Sequence, residues 1–194
     1  MSAGTMDRRV RKTRNTLRLC LGKLLQEKPI QNISVKEISE LADINRGTFY
    51  LHYKDVYDLL AHTEQELFEQ YSELLERHSS LNESAIALFE DLLNMIQENT
   101  DLVRVLLGPN GDLQFLNQLR DLFRIKIIEP WAKNMFRTPP EDQQFFYTYI
   151  IDGSIGIIKL WVQTESDIPA KELAKMITQY ALEGAAGLGM SIPG

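Results

Sequence analysis

The sequence predicts an all-α chain of about nine helices. An N-terminal three-helix helix-turn-helix domain, residues 1–54, precedes a larger helical domain, residues 55–194. Three observations predict this class. Apolar residues recur at steps of three and four along nearly the whole chain, the spacing that holds them on one helix face. The intervals between these stripes hold caps, prolines and glycines, which start and stop helices. A hydrophobic share of 44% over 194 residues suffices for a packed core of ordinary size.

The first helix carries Val10, Thr13, Leu17, Leu21 and Leu24 on one face, and Pro29 ends it. Ser34 and Glu37 form a capping box: the hydroxyl accepts from the Glu37 amide and the carboxylate reaches back. The short helix that follows points Val35, Ile38 and Leu41 inward. Asp43-Ile44-Asn45 breaks it, and a second short helix runs from Arg46 to about Tyr53. Asp55 caps a longer helix bearing Val56, Leu59, Leu60, Thr63, Leu67, Tyr71, Leu74 and Leu75. Ser79–Asn82 reads as a loop. Ile86, Phe89, Leu92, Leu93 and Ile96 mark the next helix, and Asp101–Leu107 a short one. The cluster Gly108-Pro109-Asn110-Gly111 is a turn. A long helix is expected from Asp112 to Met135, with Leu116, Leu119, Phe123 and Ile127 inward. Pro139-Pro140-Glu141 starts another, reaching about Thr164. The last runs from near Pro169 to Gly187–Gly189.

One cysteine, Cys20, excludes an intrachain disulfide and a cysteine zinc site. The three histidines are too scattered for a metal cluster, and neither metal nor cofactor is expected. The N-terminal residues lack the apolar stretch of a secretory signal, and a reducing, cytoplasmic setting is expected. The net charge is -6, from 21 Lys+Arg and 27 Asp+Glu. Residues 1–60 alone hold 11 basic and 7 acidic side chains, whereas residues 61–194 hold 10 and 20. A basic third on an acidic body directs attention to nucleic acid.

Helix, tight turn and short helix between Ser34 and Tyr53 have the dimensions of a helix-turn-helix, whose second helix enters the major groove. Gly47 lets the backbone approach DNA closely. Arg46 can fork onto a guanine edge or pair with phosphate. Thr48 offers a hydroxyl and a methyl. Phe49 turns into a small core with Leu21, Ile38 and Leu41. Tyr50, Tyr53 and Lys54 are phosphate donors, which fix register. Tyr53 equally suits packing on the next helix, and His52 either a phosphate or the core edge. Leu51 suits a base methyl or is simply exposed.

The string Ile38-Ser39-Glu40-Leu41-Ala42-Asp43-Ile44-Asn45-Arg46-Gly47-Thr48-Phe49-Tyr50-Leu51-His52-Tyr53-Lys54-Asp55 resembles the signature of the TetR family of transcriptional regulators. The resemblance is close over about Asn15–Leu60; beyond that it rests on helix number and order. It implies an all-α homodimer whose first three helices bind a double-stranded DNA operator. It places the DNA contacts on Ser34, Asn45, Arg46, Gly47, Thr48, Tyr50, His52, Tyr53 and Lys54. One position departs: the lysine often found at the start of the family's fourth helix is Val56 here. That leaves Lys54 and the arm residues Arg8, Arg9, Arg11 and Lys12 to hold phosphate.

The resemblance also implies that a ligand in the second domain changes the spacing of the two DNA-binding heads. A small apolar or amphipathic ligand could be lined by Phe68, Tyr71, Phe89, Leu92, Ile96, Phe115, Leu119, Phe123, Tyr147 and Trp161, residues that equally suit ordinary core. Some members of the family, including a coactivator of dihydroxyacetone kinase genes, use a protein partner instead, and that alternative stays open.

Phe145–Val162 is the most apolar segment. Its Asp152, Gly153, Ser154, Gly156 and Lys159 argue against a membrane span, and a helix apolar all round needs a partner on each side. A second copy of the chain is the simplest partner. The expected dimer interface is Ile150, Gly153, Ser154, Ile157, Ile177, Ala181, Gly184, Ala185 and Leu188, in a four-helix arrangement. No catalytic carboxylate pair with a nearby histidine, H-E-x-x-H motif or phosphate-cradling loop occurs, so the chain is not read as an enzyme.

Overall fold

A computed structural model describes residues 3–78, 85–108, 111–130 and 140–187. Among them are nine α-helices and no strand: α1 (Ala3–Glu27), α2 (Val35–Leu41), α3 (Arg46–Tyr50), α4 (Val56–Arg77), α5 (Ala85–Glu98), α6 (Thr100–Leu106), α7 (Leu113–Phe123), α8 (Pro140–Gln163) and α9 (Ala170–Gly187). The all-α expectation holds. The loop at Ser79–Asn82 lies outside the described residues.

Two compact units form. The first takes Met1–Phe68 and Asp101–Asp112, the second Glu69–Thr100 and Leu113–Gly194. The division expected at residues 54 and 55 followed the motif; contacts instead assign the first half of α4, and α6, to the N-terminal unit. The reason is packing. Val105 of α6 joins Leu17, Leu21, Ile38, Phe49, Val56 and Leu59 in one buried cluster. Gln26 Nε2 donates to Asp101 Oδ1 at 3.1 Å, tying α1 to α6. Gly111, just after α6, has no room for a side chain, since a Cβ would lie 2.0 Å from the Leu106 carbonyl oxygen.

The turn from α2 to α3 has a definite construction. Asp43 sits at φ 52°, in the left-handed region that aspartate tolerates better than most residues. The Ile44 amide donates to the Ser39 carbonyl at 3.0 Å and the Asp43 amide to Glu40 at 3.2 Å. These two bonds make a Schellman cap, which stops α2 and reverses the chain. Leu41, expected to face inward, is 48% exposed, and Ala42 takes the buried place instead. Ser39 is buried, and its hydroxyl oxygen has no hydrogen-bond partner.

In the second unit α5 and α9 form the most extensive helix pair. The Phe89 and Phe123 rings pack at 6.1 Å. The long helix expected to Met135 changes character: residues Arg124–Ile128 adopt a π-helical turn, which nothing in the sequence signals. Residues 131–139, including Met135 and Pro139, lie outside the described residues. α8 ends in a second Schellman cap, with Glu165 at φ 49° and the Ser166 amide bonded to the Trp161 carbonyl. By length and composition, Gln144–Gln163 is apolar enough to cross a membrane, at a mean hydropathy of 1.3. One side of it nonetheless packs in its own unit through Ile150, Ile151, Ser154, Ile158, Trp161 and Val162.

Candidate nucleic-acid interface

The capping box at Ser34 forms as the sequence predicts. The Ser34 amide donates to Glu37 Oε2 at 2.9 Å, the Ser34 hydroxyl donates to the same oxygen at 2.8 Å, and the Glu37 amide returns a bond to Ser34 Oγ. Lys28 Nζ pairs with the other carboxylate oxygen. Together Lys28 and Ser34 hold the Glu37 carboxyl down at about 2. Ser34 is exposed, but its hydroxyl proton is committed to Glu37.

Asn45 caps α3. Its Oδ1 accepts from the Thr48 amide at 2.8 Å and from the Thr48 hydroxyl at 3.2 Å. Gly47 follows inside this cap, and a Cβ there would meet Asn45 Oδ1 at 3.1 Å. A larger residue at 47 would therefore press on the cap itself. Phe49 is fully buried and orients the helix, with the Tyr50 ring edge-on at 5.7 Å. Arg46, Gly47, Tyr50 and Lys54 are exposed, while Thr48 and His52 are half-buried.

Two expected contacts change character. Tyr53 is 5% exposed and packs against Phe49 and His62, so its ring belongs to the core. Burial pushes its phenol pKa up. Burial, then the charge of Arg14, lowers the His52 pKa, which favours a neutral ring. A neutral imidazole can still donate one N–H, but brings no charge to a phosphate. Arg14 itself was missed. It is an exposed α1 residue whose charge acts on both His52 and Tyr53, which places it beside the end of the helix-turn-helix. Its spacing from Arg11, three residues on, was the available signal. Arg8, Arg9, Arg11 and Lys12 are also exposed. Val56, at the position where the family often has lysine, is buried in the head core.

The family model for the TetR transcriptional regulator C-terminal region matches residues 83–183. The chain belongs to the TetR family of transcriptional regulators. It is similar in structure to a TetR transcriptional regulator from Streptococcus agalactiae 2603V, at 22% identity and a TM-score of 0.61, covering 93% of this chain and 99% of that one. It is also similar to the dihydroxyacetone kinase operon activator DhaS, at 18% identity and a TM-score of 0.59, covering 89% and 95%. SmeT, the repressor of the Stenotrophomonas maltophilia multidrug efflux pump SmeDEF, matches at 12% identity and a TM-score of 0.67, covering 88% and 89%. At such identities these likenesses concern the fold. No curated protein sequence matches the chain.

In this TetR-family chain the candidate ligand residues are mostly buried. Tyr71, Phe89, Leu92, Ile96, Phe115, Phe123 and Trp161 are buried; Phe68, Leu119 and Tyr147 are half-buried. Trp161 Nε1 donates to the Ile168 carbonyl at 2.9 Å, which fixes the indole. Tyr147 also lines a polar groove of about 580 Å³ with Asn117, Arg120, Arg124, Thr148 and Asp152, where Arg120 pairs with Asp152.

The dimer candidates divide. Ile150, Ser154 and Ile177 are buried inside their own unit, so α8 and α9 already use that side intramolecularly. Gly153 is exposed, and Ile157, Ala181 and Gly184 are half-buried. Tyr149 lies on Gly184, where a Cβ would meet its ring at 3.1 Å; the small residue serves contact between α8 and α9 of one chain. The outward stripe of α8 is Phe145, Tyr149, Gly153, Gly156 and Leu160, most of which the expected set lacked. The choice of side needs the tertiary packing, because α8 is apolar on both. Ala185 is a residue of α9, and Leu188 lies outside the described residues.

Proposed function

We propose that this TetR-family regulator is a ligand-responsive repressor that binds a palindromic operator in double-stranded DNA as a homodimer in the cytoplasm. One observation carries the reading: α3 presents Arg46, Gly47 and Tyr50 outward, with Lys54 exposed just beyond its end, while Phe49 and, after the helix, Tyr53 are buried in the head. A short helix held from behind, capped by Asn45 and followed by His52, on which the charge of the exposed Arg14 acts, is suited to a major groove between two phosphate backbones. The contact set is Ser34, Asn45, Arg46, Gly47, Thr48, Tyr50, His52 and Lys54, with Arg14 added and Tyr53 acting from the core.

The dimer reading is supported by Phe145 and Leu160 of α8, which are 80% and 63% exposed on an otherwise apolar helix. A second copy of α8 and α9 would cover them and would also explain why a helix this apolar need not enter a membrane. A small apolar or amphipathic ligand would act by shifting the distance between the two heads.

Selection of genomic fragments with the purified protein tests the reading, and an enriched palindrome with two half-sites is expected. Without any enrichment, operator binding falls. Enrichment of a site whose occupancy responds only to an added protein would favour the protein-controlled coactivator, the second reading, which the structural likeness to an operon activator makes worth separating.

A further inference from the structure

We infer that Leu51 reads the 5-methyl group of a thymine in the operator half-site, an inference that rests on the DNA-binding reading of α3. Leu51 is 81% exposed, more than Phe145 or any other exposed large hydrophobic residue among those described. Its position is fixed rather than incidental. It is the C-cap of α3 with helical backbone angles (φ -72°, ψ -18°), and its amide donates to the Gly47 carbonyl at 3.2 Å. Phe49, two residues earlier, points into the head core, so Leu51 points away from it.

Helical side chains lean toward the N-terminus, over the turn that precedes them. For Leu51 that turn carries Gly47, which adds no side chain. The leucine therefore provides an apolar step on a face otherwise made of Arg46, Tyr50 and Lys54, all exposed groups that can serve phosphate or base edges. A leucine gains nothing from phosphate or from base-edge donors and acceptors. The thymine methyl is the apolar group that the major groove offers, and leucine is complementary to it.

The test uses the full chain and a duplex enriched from a random library. Each thymine in turn is replaced by uracil, which deletes the methyl and leaves the base-pairing edge unchanged. Wild type is expected to lose about fourfold in affinity at one position per half-site, the value of one buried methyl. Leu51→Ala is expected to bind the parent duplex more weakly and to lose nothing further on uracil substitution at that position. Circular dichroism confirms that this surface variant is folded. If the parent duplex is bound but no uracil matters, or if Leu51→Ala keeps the same uracil sensitivity, the inference is overturned and DNA binding stands. If no duplex is enriched, the functional reading falls and the inference with it.

Discussion

Replacing Phe49 by alanine should strongly destabilise the DNA-binding head while leaving the second unit unaffected. Phe49 has no exposed surface and touches the rings of Tyr50 and Tyr53 at 5.7 and 5.9 Å. Truncating a fully buried phenylalanine costs about 3–5 kcal/mol, from lost burial and the cavity left behind. A unit of this size has a total stability of about 4–12 kcal/mol, so the variant head is marginal. Phe49→Leu keeps most of the volume and should cost about 1–1.5 kcal/mol. The two tryptophans, Trp131 and Trp161, both lie in the sequence of the second unit. Their fluorescence therefore follows that unit, whereas hydrogen exchange of the α1, α2 and α3 amides follows the head. Phe49→Ala should lower protection of the head amides by the full cost with little movement of the tryptophan urea midpoint. A loss below about 1 kcal/mol, or an equal loss by both probes, would refute a separate core built around this ring.

Further outcomes follow from single side chains. Arg46→Ala should weaken operator binding by about 1–3 kcal/mol, and Tyr50→Phe by about 1 kcal/mol, in anisotropy titrations at fixed salt; full affinity in Arg46→Ala would remove it from the contact set. Ser39→Ala should stabilise the head by about 1 kcal/mol in urea, since it deletes a buried hydroxyl without a partner. Burial, then the charge of Asp112, holds the Glu64 carboxyl up at about 7 from 4.5, and one of its oxygens is buried without a partner. The folded state thus binds this proton more tightly, and its contribution is full below 4.5 and lost as pH rises to 7. Glu64→Gln should flatten the urea midpoint over that window; an unchanged slope would sink the assignment. Leu160→Asp should convert a sedimenting dimer into a 22.3 kDa monomer, and an intact dimer would move the interface elsewhere.

The helix-turn-helix was legible because its signals are local. Ser34 and Glu37 cap each other three residues apart, and the Phe49 spacing selects the core side; the cap that Asn45 places on α3 is a finding of the structure. Leu41 misled because the Schellman turn at Asp43 rotates the end of α2, which makes Ala42 the inward residue. The spacing of Arg14 from Arg11 marks a shared face of α1, but its relation to His52 and Tyr53 runs from α1 to the residues after α3, which local spacing does not reach.

Helix order, the Ser34–Glu37 capping box, the basic head and the family signature are legible without the fold, because each depends on residue type and near-neighbour spacing. The tertiary structure decided what depends on long-range packing. It assigned α6 to the head through Val105 and Gln26, and it placed Tyr53 in the core. It also chose which side of the doubly apolar α8 its own unit covers. An apolar stripe states that a face must be buried; only the surrounding helices determine against what.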